Sequence, residues 1–299
     1  MSGPLLFDRQ LLRARRRRAL AFGPATFLLE RAADDLAERL GAVLRRFDLA
    51  VDLGTPTDAV RRALAAGGVI RTMIAADPLA PCLTDETALR VAADEEALPF
   101  RDASLDLVVS GLALQFVNDL PGTLAQVRRA LKPDGLFMAA LLGGETLTEL
   151  RESFAVAEAE IEGGVSPRVP PFADLRDAGA LLQRAGFALP VTDIDRLIVR
   201  YASPYALLTD LRRMGATNAL LERRRVPLRR TTLTRMAEIY ATRFADADGR
   251  VRATFEMLWL SGWGPHESQQ KPLAPGSAKV RLADTLGVRE ISAGDKAKP

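Results

Sequence analysis

The sequence predicts an α/β protein built on a doubly wound, mostly parallel seven-stranded sheet with helical insertions. Three observations predict it. A buried-strand run, Leu49 to Leu53, stops at Gly54 and gives way to an amphipathic run from Ala59 to Ala66. Short apolar segments then alternate with helical ones as far as Leu142, the spacing of parallel strands joined by right-handed crossovers. Two later segments, Thr192–Tyr201 and Thr254–Trp263, read as strands returning to the same sheet.

In chain order, the opening 22 residues carry Arg13 and Arg15 to Arg18 on a helical pattern packing through Leu11, Leu12 and Leu20. Such a face is either solvated or a contact to an acidic partner, and it also resembles a mitochondrial transit peptide. Phe27, Leu28, Ala32, Leu36, Leu40 and Leu44 recur at helical steps and predict a helix from Phe27 to Phe47. Gly67-Gly68 ends the helix after Gly54, and Val69–Ala76 is the second strand. Leu89–Ala92 and Leu105–Ser110 follow as strands, the latter with a β-branched pair. A helix over Leu120–Leu131 stops at Lys132-Pro133-Asp134-Gly135, and Leu136–Leu142 is the fifth strand. Beyond Gly143-Gly144, helices are expected over Glu145–Glu162, Ala173–Ala185, Pro204–Met214 and Leu233–Phe244. The boundaries expected are an N-terminal helical segment 1–46, a cofactor-binding core 47–143, insertions with the last strands 144–286, and a disordered tail 287–299.

Composition narrows the chemistry. With 48% hydrophobic and 26% charged residues and a mean hydropathy of +0.02, the chain reads as globular, with no apolar run long enough for a membrane span. The net charge of +3 is a near balance, and no aromatic-interleaved basic motif accompanies it, so nucleic acid is not expected. Cys82 is the single cysteine and His266 the single histidine. An internal disulfide, a two-histidine iron site and multi-Cys/His zinc sites are therefore excluded within one chain, and no metal site is expected.

In open α/β sheets ligands bind outside the carboxyl ends of the strands. An acidic residue closing strand two, about twenty residues past the glycine turn, is placed to accept from ribose hydroxyls; Asp77 stands 23 residues beyond Gly54. Asp94 and Glu95, after strand three, can accept from an adenine amino group. One glycine in the first loop is too few for a pyrophosphate, whereas the amino-acid tail of S-adenosylmethionine (SAM) asks for less backbone approach. The plain alternatives are a turn aspartate before Pro78 and a solvated acidic turn. His266 is a candidate base whose simpler role is to hold its own loop.

These runs, Asp52-Leu53-Gly54, Ala93-Asp94-Glu95 with Leu98-Pro99-Phe100, Leu105 to Ser110 with Val117-Asn118-Asp119-Leu120-Pro121, and Leu131 to Gly135, resemble the Methyltransf-11 group of class I SAM-dependent methyltransferases. Phe7-Asp8-Arg9, Gly143 to Leu147, Glu162-Gly163-Gly164, Met214-Gly215 with Asn218, and Gly262-Trp263 with His266 to Gln269 are similar to a narrower family of that fold. Its members are mitochondrial respiratory complex I assembly factors that hydroxylate an arginine of a complex I subunit, and their bacterial homologues. The resemblance implies a Rossmann-like class I methyltransferase fold, SAM as cofactor, cofactor contacts from Asp52, Gly54, Asp77, Asp94 and Glu95, and a complex I subunit as partner. It implies the bacterial cytoplasm or, in a eukaryote, the mitochondrial matrix. The chain departs from the family where D-L-G-x-G-x-G reads Asp52-Leu53-Gly54-Thr55-Pro56-Thr57-Asp58, and where a His-Trp pair reads Gln115-Phe116. Three functions stay open: methyl transfer, which needs positioning more than a nucleophile; arginine hydroxylation; and a non-catalytic assembly factor.

Overall fold

The computed structural model describes residues 5–79, 89–270, 277, 280 and 282–288. Cys82 and all of the tail expected at 287–299 except residues 287 and 288 lie outside the described residues. Within them the elements are α1 (Arg9–Ala21), α2 (Phe27–Gly41), β1 (Phe47–Leu53), α3 (Ala59–Ala66), β2 (Ile70–Ala76), β3 (Leu89–Val91), β4 (Leu105–Gly111), α4 (Leu120–Ala130), β5 (Leu131–Leu142), α5 (Thr148–Glu162), α6 (Leu175–Arg184), β6 (Ala188–Tyr201), α7 (Pro204–Arg213), α8 (Arg230–Phe244) and β7 (Val251–Trp263). Residues 1–265 form one compact unit; a second, 266–299, includes the short helix α9 (Leu282–Leu286).

The seven strands form one sheet in the order β3-β2-β1-β4-β5-β7-β6. The first five pair in parallel, and β7 runs antiparallel between β5 and β6. Helices cover both faces, which is why the central strands are continuously apolar. Leu105 and Val108 of β4 pack with Leu124 of α4 and Leu182 of α6, while Leu107 and Val109 pack on the other face with Leu36 and Leu40 of α2. Helices α5, α7 and α8 build a further cluster around Phe154, Leu207, Tyr240 and Phe255. Both late strands thus return to the one sheet, as the alternation of Thr192–Tyr201 and the apolar run of Thr254–Trp263 predict. Among the described residues no helix is long and apolar enough to cross a membrane.

The helix expected from Phe27 to Phe47 stops at Gly41, and Phe47 opens β1 instead. Leu44, placed on its apolar stripe, is fully exposed. Glycine loses helix propensity, and the register of Phe47 against Ile70 claims that ring for the sheet. The Lys132–Gly135 stretch does interrupt pairing: the β4–β5 register jumps between Leu105 and Leu107.

Helix α1 starts at the N-cap Asp8, whose carboxylate accepts from Leu11 N at 3.0 Å. The segment before it docks on residues 219–221, with Asp8 N donating to Ala219 O at 2.8 Å and Leu221 N to Leu6 O at 2.9 Å. Gly215 makes this possible: its φ is +70°, and a Cβ there would stand 3.0 Å from Arg16 Cα. Gly215→Ala is expected to cost about 1–2 kcal/mol from the left-handed backbone alone, read by urea unfolding, and to loosen α1.

Candidate functional site

Because the chain steps from β1 to β2 on one side and later to β4 on the other, the sheet order reverses beside β1, and a crevice opens at the carboxyl ends. Gly54 turns the chain there. Its φ is +71° and its N–H donates to Ala76 O at 2.7 Å. A Cβ on it would lie 2.8 Å from Glu95 Oε1, so both the turn and the close approach of Glu95 require glycine.

Asp52 lies beneath this turn, 1% exposed. Arg61 Nη1 of α3 donates to it at 2.6 Å, as does the Thr55 hydroxyl, and Thr55 Oγ1 accepts from Gly111 N at 3.0 Å. Burial pushes the Asp52 carboxyl up to about 6 against the pull of Arg61 and Thr55. Thr55 and Arg61 therefore tie down a loop that lacks the two later glycines, with Asp52 turned to internal use.

Asp77 closes β2. Its Oδ1 accepts from Leu79 N at 2.5 Å, and Arg16 Nη1 stands 3.9 Å from its Oδ2. Burial raises this carboxyl also to about 6, with Arg16 and the Leu79 N–H pulling the other way. Glu95, 1% exposed, pairs with Arg9 and lies 3.6 Å from Arg16 Nη1. Asp94, at the rim, accepts from Arg9 Nη2 at 2.7 Å and pairs with Arg13. Burial would raise Asp94, but the Glu96 N–H with Arg9 and Arg13 holds it below the ordinary carboxylate range. The structure thus brings Gly54, Asp77 and Glu95 together around Arg16, with Asp94 beside them and Asp52 below.

The basic face of α1 is the main correction to the sequence reading. Arg9, Arg13 and Arg16 turn inward onto the acidic residues, so the acidic partner is the chain itself. Leu12, Arg16 and Ala19 are buried at helical steps, an arginine on the apolar stripe, and that spacing was the available signal. Two arginines of the connection between α7 and α8 are likewise engaged: Arg223 pairs with Asp8 at 3.1 Å and Arg224 with Glu162 at 2.9 Å. In its own unit His266 holds its loop, with Nδ1 2.7 Å from Ser268 Oγ.

Sequence reasoning assigned no site role to Arg9, Arg16 or Asn118, and it marked Gln115 and Phe116 only as departures. Asn118 Oδ1 accepts from Leu6 N at 2.8 Å and Phe7 N at 2.7 Å, and Phe7 meets Phe116 edge-on at 5.7 Å. These contacts bind α1 over the crevice and leave a cavity lined by Arg16, Pro56, Thr57, Gln115, Phe116 and Met214, among others. Two buried polar atoms of its lining have no hydrogen-bond partner among the described residues: Arg16 Nη2 and Gln115 Oε1. Arg16 is 7% and Gln115 9% exposed. A buried donor and a buried acceptor left without partners are costly, and a zwitterionic amino-acid group beside Pro56 and Thr57 would satisfy both. The chemistry of this lining therefore fits the amino-acid end of SAM, while Asp94 and Glu95 hold guanidinium groups. Among the described residues no three His, Cys, Asp or Glu side chains are grouped to hold a metal.

Comparison with known proteins agrees with this architecture. Residues 51–139 match the model of a methyltransferase domain. The chain is 40% identical over 97% of its length to the mitochondrial arginine-hydroxylase NDUFAF5 of Danio rerio, covering 92% of that protein. It is 39% identical over 93% of its length to the same protein of Homo sapiens, covering 83% of it. Identity to the malonyl-[acyl-carrier protein] O-methyltransferase of Halorhodospira halophila is 36%, covering 88% of each chain. The crystal structure of the Bacillus subtilis YcgJ protein superposes with a TM-score of 0.53 at 16% identity, over 78% of this chain and 98% of that one, and shares the fold. With full-length identity at this level and the sheet order above, the chain belongs to the methyltransferase-fold family that includes the NDUFAF5 arginine-hydroxylases and the malonyl-[acyl-carrier protein] O-methyltransferases.

Proposed function

We propose that this chain binds SAM at the carboxyl ends of β1, β2 and β4 and works in respiratory complex I assembly, hydroxylating an arginine of a complex I subunit, the inserted oxygen atom coming from dioxygen and the other being reduced to water by an external two-electron donor. The observation that carries the reading is the pairing of Asp77, at the end of β2, with a Gly54 turn one strand away, in a chain about 40% identical along nearly its whole length to arginine-hydroxylases. The C-terminal motifs shared with the assembly-factor family support the partner, in the bacterial cytoplasm or the mitochondrial matrix. A second reading, methyl transfer to an acyl-carrier or protein carboxylate, is favoured by the 36% identity to the malonyl-[acyl-carrier protein] enzymes. Mass spectrometry of complex I subunits from a deletion strain separates them. Loss of one oxygen's mass from an arginine supports the first reading, and unchanged subunits with intact complex I overturn it; loss of a methylene's mass from the acyl chain of the carrier protein or from a subunit carboxylate in the same strain supports the second, and its retention on both overturns the second.

The cofactor part has its own test. Asp77 must be ionised to accept two ribose hydroxyls, and its folded value near 6 sets the window. Calorimetric titration is expected to show SAM affinity level above neutral pH and falling by about tenfold per pH unit below 6. Asp77→Asn should weaken binding by roughly 10–100-fold and flatten the profile. A profile unchanged by the substitution argues against ribose recognition by Asp77.

A further inference from the structure

The cavity between α1 and the crevice ends in two groups with opposite requirements. Arg16 Nη1 faces Glu95 Oε1 at 3.6 Å and Asp77 Oδ2 at 3.9 Å, beyond hydrogen-bonding distance for either. Its guanidinium lies over the Phe116 ring at 5.7 Å, and Nη2 is the arm left without a hydrogen-bond partner among the described residues. Gln115 is oriented by a different bond: its Nε2 donates to Leu112 O at 2.8 Å. A carbonyl can only accept, so that bond settles which end of the amide is nitrogen, and Oε1 is an acceptor with nothing to accept. A buried guanidinium N–H asks for an anion, and a buried amide oxygen asks for an N–H donor. The loop residues Pro56 and Thr57 line the same cavity, where further glycines would have allowed a ligand to be held by backbone N–H groups.

We propose that Arg16 and Gln115 together read the α-amino-acid end of the bound cofactor, Arg16 Nη2 donating to its carboxylate and Gln115 Oε1 accepting from its ammonium. The inference rests on the SAM reading above and goes beyond it, because it moves recognition of that end from the glycine loop to two side chains. One of them is carried on α1. The helix is then part of the binding site: its guanidinium exchanges a loose coulombic contact with two carboxylates for a charge-assisted hydrogen bond to ligand, and the adjacent Arg9 keeps the helix seated on Glu95 throughout.

Three ligands separate the parts: SAM; decarboxylated SAM, which loses the carboxylate and keeps the ammonium and the sulfonium; and 5′-methylthioadenosine, a neutral thioether that lacks all three charges. Isothermal titration of the full chain is expected to give affinities falling in that order. Arg16→Met, which keeps an apolar stem on Phe116, should lower SAM affinity by roughly 10–100-fold, to the level of decarboxylated SAM, and leave the other two ligands unchanged. Arg16→Lys should recover part of the loss. Gln115→Met should weaken SAM and decarboxylated SAM alike and spare methylthioadenosine, whose unchanged binding shows that both variants are folded. Wild-type protein binding all three equally well, or Arg16→Met and wild type binding SAM equally, overturns the inference while SAM binding stands. Wild-type protein binding none of the three overturns the SAM reading and this inference with it.

Discussion

Arg61→Ala is expected to destabilise the chain by about 3–5 kcal/mol near pH 8, the cost of leaving a buried carboxylate without its cation. Asp52 is 1% exposed and accepts from Arg61 at 2.6 Å. The sign of the pH dependence follows from the raised carboxyl. Its folded value of about 6 lies above the ordinary 3.8, so between those values the native chain holds a proton that the unfolded chain has released. Stability contributed by this group therefore falls as pH rises through that window. Removing Arg61 raises the folded value further and carries the fall to higher pH. The deficit of the variant should be small at pH 5 and full at pH 8, measured by urea unfolding at both. Replacing both partners by leucine removes the charge and its cation together, and is expected to recover most of the loss. A single variant as stable as wild type at pH 8 would show that the pair does not hold the loop.

The Asp52–Arg61 pair also illustrates why the fold was legible in the sequence and the site only in part. Strands β4, β5 and β7 are buried on both faces over most of their length, and burial on two faces writes itself as nearly continuous apolar runs. The Gly54 turn and the terminal acid of β2 were legible because one needs a left-handed residue and the other sits where any parallel strand ends. The partners of those acids were not. Arg9, Arg13 and Arg16 lie about sixty or more positions from Asp77, Asp94 and Glu95 in the chain, and no local periodicity reports a pairing over that distance. A run of arginines on a helix reads as a solvated face unless one of them falls on the apolar stripe, as Arg16 does between Leu12 and Ala19. Pro56 and Asp58, standing where the loop's later glycines are expected, likewise said that the loop differs. They could not say that Thr55 bridges Asp52 to the Gly111 N–H. The end of α2 was misplaced because the apolar pattern continued through Leu44, while the claim of β1 on Phe47 is a tertiary effect.

Glu95→Gln is expected to open α1 without unfolding the sheet. Glu95 anchors the helix through Arg9 and, more loosely, Arg16, and it packs directly over Gly54. Burial alone would lower the Arg9 guanidinium, but Glu95 and Asp94 reverse that and hold it above its ordinary value, so the charge is stabilised where it lies. The substituted amide would keep the shape and lose the charge; Arg9 would retain Asp94, and the loss is set at about 2–3 kcal/mol by the strength of one hydrogen bond to a charged group. If α1 opens locally, that cost appears in the opening equilibrium of the helix and not only in global unfolding. Trypsin cleavage after Arg13 and Arg15 to Arg18 should then run roughly 30–150-fold faster than in wild type, with cuts elsewhere unchanged. Because the ligand site proposed above includes Arg16, saturating SAM should slow those same cuts in wild type and less so in the variant. Equal cleavage of the two proteins would mean that the apolar contacts of Phe7, Leu12 and Ala19 hold the helix by themselves, and that the ion pairs across the crevice serve the ligand alone.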